Sequence, residues 1–112
     1  MSRAKSPEQC ELVVLSFDPR TGHEQMGRRP ALVISNQAFN RATGLAIVCP
    51  ITNTHRGIPF HVAIPEETGV TGYAMVEQVK AVDYAARQWK PIGRVEDMVV
   101  DEVLSILDAC FE

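Results

Sequence analysis

Pro30-Ala31-Leu32-Val33-Ile34-Ser35 is a short apolar run rich in branched side chains and opened by a proline. It reads as a β-strand, with Pro30 tolerated at the first residue, where no ladder donor is needed. Upstream, Arg20 to Arg29 is polar, carries Gly22 and Gly27, and reads as a long loop. Before that loop, Glu11 to Phe17 is another β-type run, closed by the turn-forming Asp18-Pro19. Downstream, Asn36 to Thr43 can hold a short helical turn broken by Gly44, and Leu45 to Cys49 is a third strand ending near Pro50. Thr52 to Gly57 is a loop, Pro59 to Ile64 alternates as a fourth strand, and Pro65 to Gly69 is a turn. Gly72 to Val82 is strand-like and long or bent, and a short strand follows near Pro91 to Val95.

The final segment changes period. From Glu96 to Phe111 the apolar positions are Met98, Val99, Val103, Leu104, Ile106, Leu107 and Cys110, the spacing of an amphipathic helix. Glu96 and Asp97 lie in its first turn, where acidic charge complements the helix dipole. Five or more short strands followed by one helix predict a mainly β protein, a small barrel with a C-terminal helix packed on it. The 112 residues fit one domain, 1–112, with residues 1–10 expected to be flexible.

Composition narrows the function classes. At 46% hydrophobic and 22% charged the chain is globular, and no apolar run approaches the ~18 residues of a membrane span. The polar N-terminus lacks an apolar signal segment, which predicts a cytoplasmic protein. Cys10, Cys49 and Cys110 are far apart and fit buried or partly buried thiols in a reducing compartment. Neither they nor His23, His55 and His61 have metal-ligand spacing, and no cofactor motif is present.

The net charge of −3 is unevenly spread. Residues 18–61 carry five arginines against Asp18 and Glu24, a balance of +3, while residues 62–112 carry four basic and ten acidic side chains, a balance of −6. The arginine fork suits phosphate oxygens, and loops 20–29 and 52–57 gather Glu24, Arg28, Arg29, Thr52, His55 and Arg56, with His23 nearby. Metal-free RNA cleavage needs few parts: a base for the ribose 2′-OH, a cation for the crowded phosphorane, and an acid for the leaving oxygen. Glu24 could serve as base if burial raised its pKa. The same grouping also suits ordinary surface salt bridges and turn contacts.

The ordered segments Phe17-Asp18-Pro19, Gly22-His23-Glu24-Gln25-Met26-Gly27-Arg28-Arg29-Pro30-Ala31-Leu32-Val33-Ile34-Ser35, Pro50-Ile51-Thr52 and Glu77-Gln78-Val79-Lys80 resemble the MazF/PemK family of toxin endoribonucleases, over about residues 11 to 110. The resemblance implies an SH3-like β-barrel with a C-terminal helix, a homodimer, cofactor-free cleavage of single-stranded RNA and neutralisation by a cognate antitoxin. It places the family's central arginine on Arg29, its threonine on Thr52 and an acidic residue used by some members on Glu24. His23, Gln25, Arg28, Asn53, His55, Arg56, Glu77 and Gln78 are then the candidate substrate contacts. One branch of the family uses an Arg-x-Asp pair, where this chain has Met75 and Glu77, so the Arg29/Thr52 arrangement is favoured. Phe39, Phe60, Tyr73 and Trp89 are candidate base-stacking residues, each with core or interface as the simpler role. A dimer would cover apolar residues such as Met26 and Val70. Two alternatives share the fold: a CcdB-type gyrase poison, which relies on a Trp near the chain end where this chain has only Trp89, and a non-catalytic SH3-like binding module.

Overall fold

The computed structural model describes residues 5–16, 27–54 and 57–112. Seven strands form one bent antiparallel sheet: β1 (Glu11–Ser16), β2 (Arg28–Val33), β3 (Leu45–Thr52), β4 (His61–Ala63), β5 (Tyr73–Met75), β6 (Lys80–Asp83) and β7 (Lys90–Arg94). Helix α1 (Gln37–Thr43) lies between β2 and β3, and α2 (Asp97–Ala109) ends the chain. The strand order is β4-β5-β3-β2-β1-β7, with β6 also paired to β3. Among the described residues no pairing joins β4 to β7, so the strand-then-helix architecture is as expected but the barrel is not closed.

Residue alternation sorts the side chains into two layers. Leu12, Leu32, Cys49, Ile51, Val62, Ile64 and Ala74 face one side and are covered by Val99, Val100 and Val103 of α2. Val13, Leu15, Ala31, Val33, Ala46, Val48, Val82 and Tyr84 face the other, with Trp89 packed at the edge. The helix stripe is narrower than its sequence suggests. Val99, Val100 and Val103 are buried, while Met98, Leu104 and Cys110 are exposed. Helix α1 is bounded as expected: the Asn36 side chain accepts from the Phe39 N–H, and Gly44 closes the helix at a φ of 75°.

Three differences from the sequence reading have physical causes. Residues 5–10 are held rather than loose: Pro7 is buried, Gln9 Nε2 donates to the Ile34 carbonyl, and the Cys10 N–H donates to Val33. Val70 is partly buried, packing against the α2-side core. Strand β3 runs through Pro50 to Thr52, and β2 starts at Arg28, two residues before Pro30.

The ladder explains both prolines. Ile34 N–H donates to Ile47, so the N–H groups of even β2 residues and odd β3 residues point at one another. Pro50 therefore turns its missing donor toward the opposite edge of β3. There the partner changes from β6, paired at residues 45–48, to β5, paired at 51–52. Pro30 lacks the donor that would reach Ile51, and the β2–β3 ladder ends at the preceding pair, Ala31↔Pro50.

Candidate nucleic-acid interface

Arg29 and Thr52 emerge where that ladder ends. The β2–β3 pairs Val33↔Val48, Leu32↔Cys49 and Ala31↔Pro50 stop short of Arg29 and Thr52, which each lie two residues beyond the last pair on their strand. Both residues therefore belong to the sheet face turned away from α2. Arg29 is exposed, and among the described residues no hydrogen bond or ion pair occupies its guanidinium. The Thr52 hydroxyl accepts the Thr54 N–H at 3.1 Å, which fixes the oxygen and keeps the O–H available as a donor. A planar cation without a partner among the described residues, on the same face as an oriented hydroxyl, is an arrangement suited to phosphate oxygens.

The same face continues across β5 and β4. Thr52 pairs with Tyr73, Tyr73 with Ala63, and Met75 with His61. The His61 and Tyr73 rings are 6.4 Å apart and tilted by 34°. His61 Nε2 lies 3.0 Å from Glu77 Oε2, with the histidine side chain 3% exposed and the glutamate 33%.

Glu77 and Gln78 sit in a 3-10 turn, Val76–Gln78, between β5 and β6. Those two strands pair with β3 in registers offset by three residues, so the turn is a three-residue insertion in one bent strand, matching the bend expected between Gly72 and Val82.

The backbone behind Thr52 is held at close quarters. Gly72 has a φ of 129°, and a Cβ there would lie 2.7 Å from the Thr52 carbonyl oxygen and 2.8 Å from Ile51 Cγ2. Only glycine allows this approach. Gly72→Ala is expected to shift Thr52 and lower the melting temperature, while Gly69→Ala, with nothing within 4 Å of its Cβ, strains only its own turn. Thermal melts of the two variants side by side check this.

The other sequence-derived candidates divide clearly. Arg28 is engaged within the protein: its guanidinium donates to Ser16 Oγ at 3.1 Å and to the Gln88 carbonyl at 2.7 Å, tying β2 to β1 and to the turn before β7. Asn53 is exposed and its Oδ1 accepts from Thr71 Oγ1 at 3.1 Å; Gln78 is exposed. His23, Glu24, Gln25, His55 and Arg56 lie outside the described residues. Of the aromatic candidates, Trp89 packs edge-on against Tyr84 at 6.0 Å and serves the core, Phe39 and Phe60 are partly exposed, and Tyr73 lies on the Arg29/Thr52 face.

His61 and Gly72 were not among the sequence candidates. The alternation of residues 59–64 could have placed His61 opposite the buried Val62 and Ile64; nothing local marks Gly72. The thiols take no part in this face. Burial pushes Cys49 up to about 12, with the nearby Glu77 charge adding to it, and burial together with the Asp97 hydrogen bond and charge pushes Cys10 up to about 11. Both stay protonated and unreactive near neutral pH.

Comparison with known proteins agrees with this geometry. Residues 8–111 match a family model described as PemK-like, MazF-like toxin of type II toxin-antitoxin system. The chain is 46% identical to the endoribonuclease toxin ChpB of Escherichia coli K12 over 110 residues, 94% of either chain. It is 37% identical to the Escherichia coli endoribonuclease PemK over 110 residues, 94% of this chain and 82% of that one. A crystal structure of MazF from Deinococcus radiodurans superposes with a TM-score of 0.85 at 37% identity, covering 96% of this chain and 98% of that one. A crystal structure of MazE-MazF from the same organism matches with a TM-score of 0.87 at 34% identity, covering 96% and 97%.

Proposed function

The chain belongs to the PemK-like, MazF-like toxins of type II toxin-antitoxin systems, and on that premise we propose that it is an endoribonuclease cutting single-stranded RNA at the Arg29/Thr52 face. The observation that carries this reading is the exposed Arg29 guanidinium, without a partner among the described residues, on the same sheet face as the Thr52 hydroxyl, which keeps its O–H available as a donor. No catalytic serine or thiolate is required, because the ribose 2′-OH is the nucleophile. As O2′ bonds to phosphorus, the P–O5′ bond breaks; the 2′-OH proton passes to a base and the departing O5′ takes a proton from an acid. Arg29 neutralises the charge gathering on the non-bridging oxygens, and Thr52 donates to one of them. Glu24 is the proposed base. His23, Gln25, Asn53, His55, Arg56, Glu77 and Gln78 are the proposed contacts to flanking nucleotides. Arg28 supports the strand that carries Arg29.

The chemistry calls for no metal-bound hydroxide, so cleavage is proposed to be metal-independent. As with the MazE-MazF structure, a cognate antitoxin is the proposed protein partner. A homodimer acting in the cytoplasm is proposed as the working form, and among the described residues no helix is long and apolar enough to cross a membrane.

The test is incubation of the purified protein with long single-stranded RNA in EDTA. Cuts at a few short sequence motifs are expected. Intact RNA together with inhibition of gyrase supercoiling would replace this reading with that of a gyrase poison, and inactivity in both assays would leave a binding module.

A further inference from the structure

Glu77 lies on a 3-10 turn with its side chain one-third exposed, a setting in which its three torsions would ordinarily be largely free. Here it is tethered. His61, almost wholly buried, holds Oε2 at 3.0 Å, and the imidazole is backed by the Tyr73 ring. A carboxylate accepts only, so Nε2 of His61 carries the proton and donates it. Among the described residues Oε1 of Glu77 takes no hydrogen bond. One oxygen is thus held by His61, and the other takes no hydrogen bond among the described residues, next to the strand pair that carries Thr52 and Tyr73.

We propose that His61 is a positioning residue that holds Glu77 so that its free oxygen reads one nucleobase of the RNA, favouring a base with an amino group on its Watson–Crick edge over uracil. This rests on the RNA-cleaving function proposed above. Adenine, cytosine and guanine each present an exocyclic amino donor to such an acceptor. Uracil offers a single ring N–H flanked by two carbonyl oxygens, which a fixed carboxylate repels. The clamp turns this into selectivity, because a carboxylate free to rotate away would simply avoid the uracil carbonyls. Splaying of single-stranded RNA on a protein surface makes those base edges accessible.

The test uses the full chain and a set of short RNA substrates sharing one cut site, with each flanking position in turn carrying A, C, G or U. At one flanking position the wild type is expected to cut the amino-bearing bases about tenfold faster than uracil in kcat/KM, the cost of leaving one hydrogen-bonding group mismatched. Glu77→Gln and His61→Ala are expected to bring that ratio to within about twofold. His61→Gln, which keeps an N–H donor, is expected to restore most of it. Glu77 is exposed, so Glu77→Gln tests the proposal even if His61→Ala fails to fold. An unchanged base preference in an active Glu77→Gln variant would overturn the proposal. Failure of the wild type to cut RNA would instead overturn the proposed function, so the two failures are distinguishable.

Discussion

Arg29→Ala is expected to slow RNA cleavage by about 10²–10³-fold while leaving the melting temperature nearly unchanged, because loss of one preorganised charge donor at a transition state has that size. The two halves of this expectation have separate structural grounds. The rate effect follows from the position of Arg29, on the same sheet face as Thr52, where phosphorane charge would collect. The small stability effect follows from exposure and the lack of partners: truncation leaves no buried group unsatisfied, and surface changes of this kind stay within about 0.5 kcal/mol. Arg29→Lys keeps the charge but loses the planar fork, so an intermediate rate is expected. Cleavage rates and thermal melts of the three proteins check all of this. An Arg29→Ala protein with normal activity would mean that this face is not where RNA reacts.

Leu32→Ala should do the reverse. Leu32 is completely buried, lies on the α2 side of β2, and pairs with Leu12 and Cys49 in the two neighbouring strands. Removing its side chain leaves a cavity at the centre of the sheet, with an expected loss of about 2–5 kcal/mol. A domain of this size has a net stability of about 5–15 kcal/mol, so the melting temperature should fall by more than about 10 °C. Leu104→Ala, on the exposed side of α2, is the control and should melt close to the wild type. If Leu32→Ala melted like the control, the two-layer assignment would be wrong.

Leu32 and Arg29 also show what the sequence alone could convey. Both lie on one six-residue strand, and their opposite fates follow from alternation along it. The β-runs, the Asn36–Gly44 helical turn and the terminal helix were visible for the same reason: periodicity is a local property. Thr52 and Arg29 were visible as motif positions. Their shared face depends on the β2–β3 register, which no local pattern states.

Features that depend on distant pairing were less visible. Pro30 suggested a strand start, yet β2 begins at Arg28 because β1 supplies partners beyond the proline, Leu15↔Arg29 and Ser16↔Arg28. The three-residue insertion at Val76–Gln78 is defined only by what β3 pairs with on either side of it. Arg28 and Arg29 look alike as sequence neighbours; alternation sends one guanidinium to Ser16 and Gln88 and leaves the other open. The whole-chain charge of −3 was the least informative quantity, since an acidic second half masks the arginine-bearing segment that the proposed RNA face requires.

The central claim is that Arg29 and Thr52 frame a phosphate attacked by the RNA's own 2′-OH. The most direct measurement compares two oligonucleotides in EDTA, cut sites having first been mapped on a mixed RNA. One is all ribose, and the other carries a single 2′-deoxy sugar immediately 5′ to the scissile phosphate. Cleavage of the first and persistence of the second, with comparable binding of both, is the predicted result. Cleavage of the deoxy-substituted strand at the same bond would contradict it.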